Sequence, residues 1–191
     1  GLNLGKYNIS ESKTDIRKEL GIEEEAFVIG TVGRLDKIKN HPFLIKVFKQ
    51  VIKDMPNAVL LFVGDGVERK HLQSLVEDYN LSKSVVFAGL RKDVERMYRA
   101  MDVFAMTSFF ESSSIVTVEA QASGVRCVIA DSIPDNVIVT GLVSSLPLNA
   151  PITDWVSAIK GNYPKRKQVS EMKMFSMDRT ISELREVYNN L

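Results

Sequence analysis

The stretch Val103-Phe104-Ala105-Met106-Thr107-Ser108-Phe109-Phe110-Glu111-Ser112-Ser113-Ser114-Ile115-Val116-Thr117-Val118-Glu119-Ala120 runs from four apolar residues, through hydroxyls and an acid, into a second apolar-rich segment. The first four read as a strand buried on both faces, and the residues from Ser114 onward read as the start of a helix. Polar groups therefore stand at the carboxyl end of a sheet strand, which is where open α/β sheets bind ligands. Glu111 falls in the loop and Glu119 about two helical turns further on, so both are expected to face one crevice. Two carboxylates there are acceptors for a hydroxyl-rich ligand such as a sugar or a ribose.

The same alternation extends outward in both directions. Phe27 to Gly33, Ala58 to Gly64, Val85 to Gly89 and Val125 to Ala130 read as further buried strands. Between them, Phe43, Leu44, Val47, Phe48, Val51, Ile52 and Met55 recur at helical spacing, as do Leu72, Leu75, Val76 and Tyr79, and then Val94, Met97 and Met101. Strands alternating with helices require crossover connections, and hence an α/β, Rossmann-like open parallel sheet with helices on both faces. Past Asp131 the pattern weakens. Val137-Ile138-Val139 and Gly141-Leu142-Val143 each read as an addition to the sheet edge, Trp155, Ile159 and Tyr163 as a helix after Pro151, and Ile181, Leu184, Val187, Tyr188 and Leu191 as a terminal amphipathic helix. The expected division is an entry segment over 1–26, a Rossmann-like α/β domain over 27–165 and a helical segment over 166–191.

Composition narrows the class. The chain has 191 residues, 45% of them hydrophobic, enough for a proper core. Twenty-five basic and twenty-four acidic residues nearly cancel, which gives no footing for nucleic acid. Cys127 is the single cysteine, so no intrachain disulfide forms, and its apolar run reads as a buried strand thiol suited to a reducing, cytoplasmic setting. No apolar run reaches the ~20 residues of a membrane span.

A second polar loop, Gly33-Arg34-Leu35-Asp36-Lys37-Ile38-Lys39-Asn40-His41-Pro42, also follows a strand and precedes a helix, with Asn40 as a candidate cap and Pro42 in the first turn. A helix N-terminus offers free N–H groups and positive potential, and Arg34 and Lys39 beside it make a cradle for a diphosphate. The plainer reading, solvated loop cations, is weakened by the strand-end position and by Gly30 and Gly33. Gly64-Asp65-Gly66 lacks the third glycine of a dinucleotide fingerprint, with Arg69 in its place, and reads as a tight turn. His41 and His71 have no partners at metal-ligand spacing and read as structural. Lys165-Arg166-Lys167 reads as a solvated loop, with attraction to anionic lipid as the lesser alternative. No serine-nucleophile elbow surrounds Ser112 to Ser114.

Taken in order, Gly33-Arg34-Leu35 with Lys39-Asn40, Val63-Gly64-Asp65-Gly66, Phe87-Ala88-Gly89, Ala100-Met101-Asp102-Val103-Phe104 and Glu111 to Glu119 with Ala120 and Gly124 resemble the donor-binding domain of retaining glycosyltransferase family 4. The resemblance covers nearly the whole chain, and Gly1 to Tyr7 resembles the segment by which family members enter that domain. It implies one carboxyl-terminal half of a GT-B enzyme, the acceptor-binding half belonging elsewhere on the same polypeptide, and an isolated chain without turnover. It further implies a nucleotide diphosphate sugar as substrate, no metal or other cofactor, and transfer to a glycan or lipid-linked acceptor as in polysaccharide biosynthesis, at or near the inner face of a membrane. By resemblance, Arg34 and Lys39 hold the diphosphate, Glu111 contacts the donor sugar and Glu119 the ribose hydroxyls. Arg91 then borders the base, and Gly33, Ser112, Ser113, Ser114 and Ile115 complete the donor site. The chain departs from the family at Ser112 and Ser114, where glycine, or at the second place glycine or proline, is usual. A sugar-nucleotide-binding module without turnover is the alternative that this departure favours.

Overall fold

The computed structural model describes residues 3–7 and 9–161. After a short 3₁₀ turn at Leu4–Tyr7, the elements are α1 (Lys13–Glu19), β1 (Phe27–Val32), α2 (His41–Asp54), β2 (Ala58–Val63), α3 (Arg69–Asp78), β3 (Val85–Gly89), α4 (Val94–Ala100), β4 (Val103–Met106), α5 (Ile115–Ala122), β5 (Arg126–Ala130), β6 (Val143–Leu146) and α6 (Ile152–Lys160). The strands form one parallel sheet in the order β3-β2-β1-β4-β5-β6. This is the doubly wound α/β architecture expected from the alternation of apolar runs.

Successive strand side chains point to opposite faces, so a strand covered on both sides reads as an unbroken apolar run. Val28, Leu61, Phe104 and Cys127 enter the layer shared with Ile16, Tyr98 and Val118, whereas Ile29, Leu60, Val103 and Val128 enter the layer shared with Phe48, Leu72 and Trp155. Helices α1, α4 and α5 thus cover one face and α2, α3 and α6 the other. A fully buried side chain of this kind stabilises by about 1.5–3 kcal/mol through area alone. Burial also holds the Cys127 thiol well above its ordinary pKa, as befits a packing residue.

The residues before Phe27 are sewn to the sheet. Arg17, on α1, is 3% exposed. Its guanidinium donates to the carbonyls of Ala100 and Ala26 at 3.0 and 2.8 Å and to the Asp102 carboxylate at 2.7 Å. Asp102 accepts in turn from the Val28 N–H at 2.8 Å and from Lys13. This cluster bridges the entrances of β1 and β4, opposite the sheet's carboxyl edge.

Two readings need correction. Val137-Ile138-Val139 adds no strand: Asp135–Val137 is a 3₁₀ turn, and the sixth strand lies at Val143–Leu146. The reason is Gln121, whose amide donates to the Val137 carbonyl at 2.7 Å and accepts from the N–H groups of Val139 and Thr140 at 3.0 and 3.1 Å. One side chain thereby meets the backbone needs that a neighbouring strand would otherwise meet. Gly30 is likewise no part of a phosphate cradle, because a Cβ there would lie 2.2 Å from the Met101 sulfur; it is the notch that lets α4 close on β1. Tyr163, Lys165 to Lys167 and the terminal helix from Ile181 lie outside the described residues.

Candidate functional site

The chain leaves β1 toward α2 on one face and leaves β4 toward α5 on the other. The two adjacent strands therefore open a crevice at their carboxyl ends, the switch point of a doubly wound sheet. Both polar loops picked out in the sequence converge there. Lys39 Nζ donates to Glu111 Oε1 at 2.6 Å, with the two side chains 20% and 11% exposed. The loops are also joined through backbone, since the Phe109 N–H donates to the Ile38 carbonyl at 2.8 Å. Thr107 Oγ1 lies 3.3 and 3.1 Å from the carbonyls of Lys39 and Asn40, its one proton shared between them. An ammonium has three donor hydrogens and a carboxylate about four acceptor positions, so each partner keeps capacity for a ligand beyond the pair.

Asn40 begins α2 by backbone geometry and not by side-chain capping, which corrects the reading from sequence. It adopts the left-handed conformation at φ 50°, ψ 40°, and its side chain makes no capping bond. Asparagine tolerates that conformation better than most residues. The resulting sharp entry leads into the first turn of α2, which holds Pro42.

Beside the pair, Gly33, Arg34, Gly64, Asp65, Leu90 and Arg91 line an open concavity of about 560 Å³. Its floor is bare backbone: the Gly33 N–H donates to the Val63 carbonyl at 2.9 Å and the Gly64 N–H to the Gly89 carbonyl at 2.8 Å. Gly64 has φ 133°, and a Cβ on it would sit 1.9 Å from the Gly33 carbonyl oxygen, so no other residue fits. Arg34 is 75% exposed and bonds Asp36 at 2.7 Å. Burial alone would raise the Asp36 carboxyl, but the hydrogen bonds from Arg34 and from the Lys39 N–H outweigh it and hold the group below its ordinary value. Arg91 reaches the wall of the same concavity, yet its guanidinium is engaged by Asp93 at 2.7 Å and Glu19 at 2.9 Å.

Glu119 bonds to partners other than the Lys39–Glu111 pair. In the second turn of α5, its Oε1 accepts from the Tyr7 hydroxyl at 2.9 Å and its Oε2 from the Tyr98 hydroxyl at 3.0 Å. Ser112 and Ser113 are exposed, and Ile115 is exposed at the start of α5. Ser114 is 1% exposed, its hydroxyl 2.7 Å from Thr117 Oγ1 and turned into the protein. Tyr7, Tyr98 and Thr107 received no functional role from the sequence. Only the polar tip on an otherwise core-facing aromatic, in Tyr98, was available as a signal. Among the described residues no group of three or more His, Cys, Asp and Glu side chains is placed to hold a metal, and no helix is long and apolar enough to cross a membrane.

A β3-β2-β1-β4-β5-β6 parallel sheet with a cation–carboxylate pair at its switch point defines a doubly wound α/β domain. Residues 12–143 match the family described as glycosyl transferases group 1, and the chain belongs to that family. It is 33% identical over 198 aligned residues to the putative glycosyltransferase EpsF of Bacillus subtilis, an alignment covering 99% of this chain and 52% of that protein. It is 31% identical over 143 residues to the UDP-Gal:alpha-D-GlcNAc-diphosphoundecaprenol alpha-1,3-galactosyltransferase of Escherichia coli, covering 73% of this chain and 37% of that one. The chain thus spans about half the length of the curated relatives it matches, or less. Among solved structures, Anabaena Alr3699/HepE in complex with UDP and glucose superposes with a TM-score of 0.80 at 22% identity, over all of this chain and 55% of that one, a likeness of fold.

Proposed function

We propose that this chain is the carboxyl-terminal, donor-binding half of a retaining glycosyltransferase that moves a sugar from a nucleotide diphosphate to a glycan or lipid-linked acceptor. The observation that carries the reading is the Lys39–Glu111 pair at the β1–β4 crevice, beside a concavity floored by glycine backbone. A diphosphate lying over that floor meets the cations of Lys39 and Arg34, the Gly33 and Gly64 N–H groups being already given to the Val63 and Gly89 carbonyls. Both cations gain strength as negative charge develops on the departing phosphate, which is electrostatic catalysis by groups already in position. Glu111, neutralised by Lys39 on one oxygen, is left to accept from hydroxyls of the sugar ring. Glu119 is assigned to the ribose, Arg91 to the edge of the base, and Gly33, Ser112, Ser113 and Ile115 to the surrounding wall. Ser114 serves the wall through its backbone, since its hydroxyl is turned inward. The relatives' names support a nucleotide sugar as donor, and the fold neighbour is a protein that holds UDP and glucose. Retention of configuration and the family 4 assignment rest on the motif order, and a cytoplasmic site of action at a membrane face on the resemblance.

The test is calorimetric titration of the chain with uridine and guanosine diphosphates, with and without a chelator. We expect binding of one of them in chelator, and a loss of about 1.5–3 kcal/mol in Lys39→Ala, the worth of a hydrogen bond to a charged group. Binding that needs magnesium or manganese would count against the cationic cradle. The acceptor half supplies positioning worth about 7–11 kcal/mol of barrier, so transfer is expected only from the longer polypeptide that includes it. Nucleotide-sugar binding by that polypeptide without transfer would favour the binding-module alternative.

A further inference from the structure

Glu119 has two tyrosine partners that stand far apart in the sequence, Tyr7 and Tyr98. Tyr98 belongs to α4, is fully buried, and packs edge-on against Phe104 with ring centroids 6.0 Å apart. Tyr7 belongs to the 3₁₀ turn that precedes α1, is half-buried, and tilts across Tyr98 at 6.4 Å. Their hydroxyls reach different oxygens of one carboxylate, at 2.9 and 3.0 Å, and the Tyr98 hydroxyl also lies 3.1 Å from the Val116 carbonyl, its one proton shared between the two acceptors. Burial first, and then the hydrogen bond and charge of Glu119, hold the Tyr7 phenol well above its ordinary pKa, so it stays a donor. Burial and the same carboxylate do so for Tyr98.

The last torsion of a glutamate joins a tetrahedral to a planar carbon and has a broad, shallow profile. A single donor pins one oxygen and leaves the other free to swing about that bond. Donors on both oxygens fix the plane. Two of the roughly four acceptor positions are then used, and those that remain point in set directions. A pair of vicinal hydroxyls requires this of a carboxylate, because both must be met at once for the second to add its full worth.

We propose that Tyr7 is a positioning residue for Glu119: together with Tyr98 it fixes the carboxylate plane so that the remaining lone pairs meet the two hydroxyls of a ribose. The proposal rests on the assignment of Glu119 to the ribose made above. It makes discrimination between ribose and deoxyribose depend on a residue of the segment before α1, far in sequence from the carboxylate it orients. Docking of that segment, and not α5 alone, then sets the hydroxyl specificity of the site.

The experiment is calorimetric titration of the 191-residue chain with the uridine, guanosine and adenosine diphosphates and their 2′-deoxy counterparts, using the base that binds best. The quantity read is the ratio of deoxy to ribo dissociation constants. Tyr7→Phe keeps the ring and removes only the hydroxyl. We expect it to shrink the ratio by about three- to tenfold, as befits a charged hydrogen bond set out of line, with the deoxy affinity unchanged and a single cooperative melt retained at a somewhat lower temperature. Glu119→Gln, run alongside, should also shrink the ratio. If Glu119→Gln shrinks it and Tyr7→Phe does not, Tyr7 is a packing residue and the proposal is overturned while the ribose assignment stands. If Glu119→Gln leaves the ratio unchanged, or no diphosphate binds, the ribose assignment itself fails and the proposal with it. Tighter ribonucleotide binding by Tyr7→Phe would also overturn it, because the hydroxyl would then be competing with the ligand.

Discussion

At its first helical position, α2 carries a buried histidine. His41 is 3% exposed, lies stacked on Phe62 with centroids 5.4 Å apart, and has no hydrogen-bond partner for either ring nitrogen among the described residues. Burial, the largest influence, depresses its pKa to about 4, against a smaller upward pull from Asp36. The unfolded chain takes up a proton near pH 6.5 and the folded chain only near 4, so stability falls as pH drops through that window and levels off below it. The full loss is on the order of 3 kcal/mol for one such ring. His41→Phe keeps the stacking and removes the titration. Urea unfolding at pH 7 and pH 4.5 should therefore show the unsubstituted chain losing about 2–3 kcal/mol more than the variant. Equal losses would mean that His41 is protonated in the folded state. The sequence allowed the structural role of His41 to be read, since no ligand partner stood at the right spacing. It did not reveal the tyrosines on Glu119, because a contact between residues 7 and 119 leaves no periodic trace.

Among the elements, α5 carries more than its length suggests. Besides presenting Glu119, it holds the loop before β6 through Gln121, which is fully buried and meets Val137, Val139 and Thr140. Gln121→Leu would leave these backbone groups buried without partners, at about 1–3 kcal/mol each where water cannot reach them. We expect a net loss of about 3 kcal/mol by chemical denaturation, with faster amide exchange confined to residues 137–140. A loss below about 0.5 kcal/mol, the range of an inert surface change, would show that the loop is held by its apolar residues instead. The interior strands were plain in the sequence because both faces are covered and their runs are unbroken. The edge was misread for the opposite reason. Val143-Ser144-Ser145-Leu146 needs only one strand neighbour and presents serines, whereas the more strand-like Val137-Ile138-Val139 is claimed by a glutamine side chain. The Lys39–Glu111 pairing was half legible. Both residues stood at strand ends, but only the strand order makes β1 and β4 neighbours.

For the molecule as a whole, that strand order also sets a sequence of events in time. β1, β2 and β3 are consecutive along the chain and adjacent in the sheet, as are β4, β5 and β6, so each half can pair early. The seam between them, Ile29 with Val103 and Gly30 with Phe104, joins distant residues and closes the longest loop of any strand pairing in the sheet. Such contacts tend to form late, after the loop-closure entropy has been met. The candidate site straddles this seam, with Lys39 on one side and Glu111 on the other. A nucleoside diphosphate bound as proposed therefore has nothing complete to hold until the rate-limiting barrier is passed. It should act as a brake on unfolding with no effect on refolding speed. At a hundredfold excess over its dissociation constant, ligand linkage of about 2.7 kcal/mol corresponds to roughly hundredfold slower unfolding in stopped-flow measurements, with the refolding limb superimposable on that of the free protein. Faster refolding in ligand would place the meeting of the two halves before the barrier, and the lifetime of the folded chain would then owe less to the bound nucleotide than this seam implies.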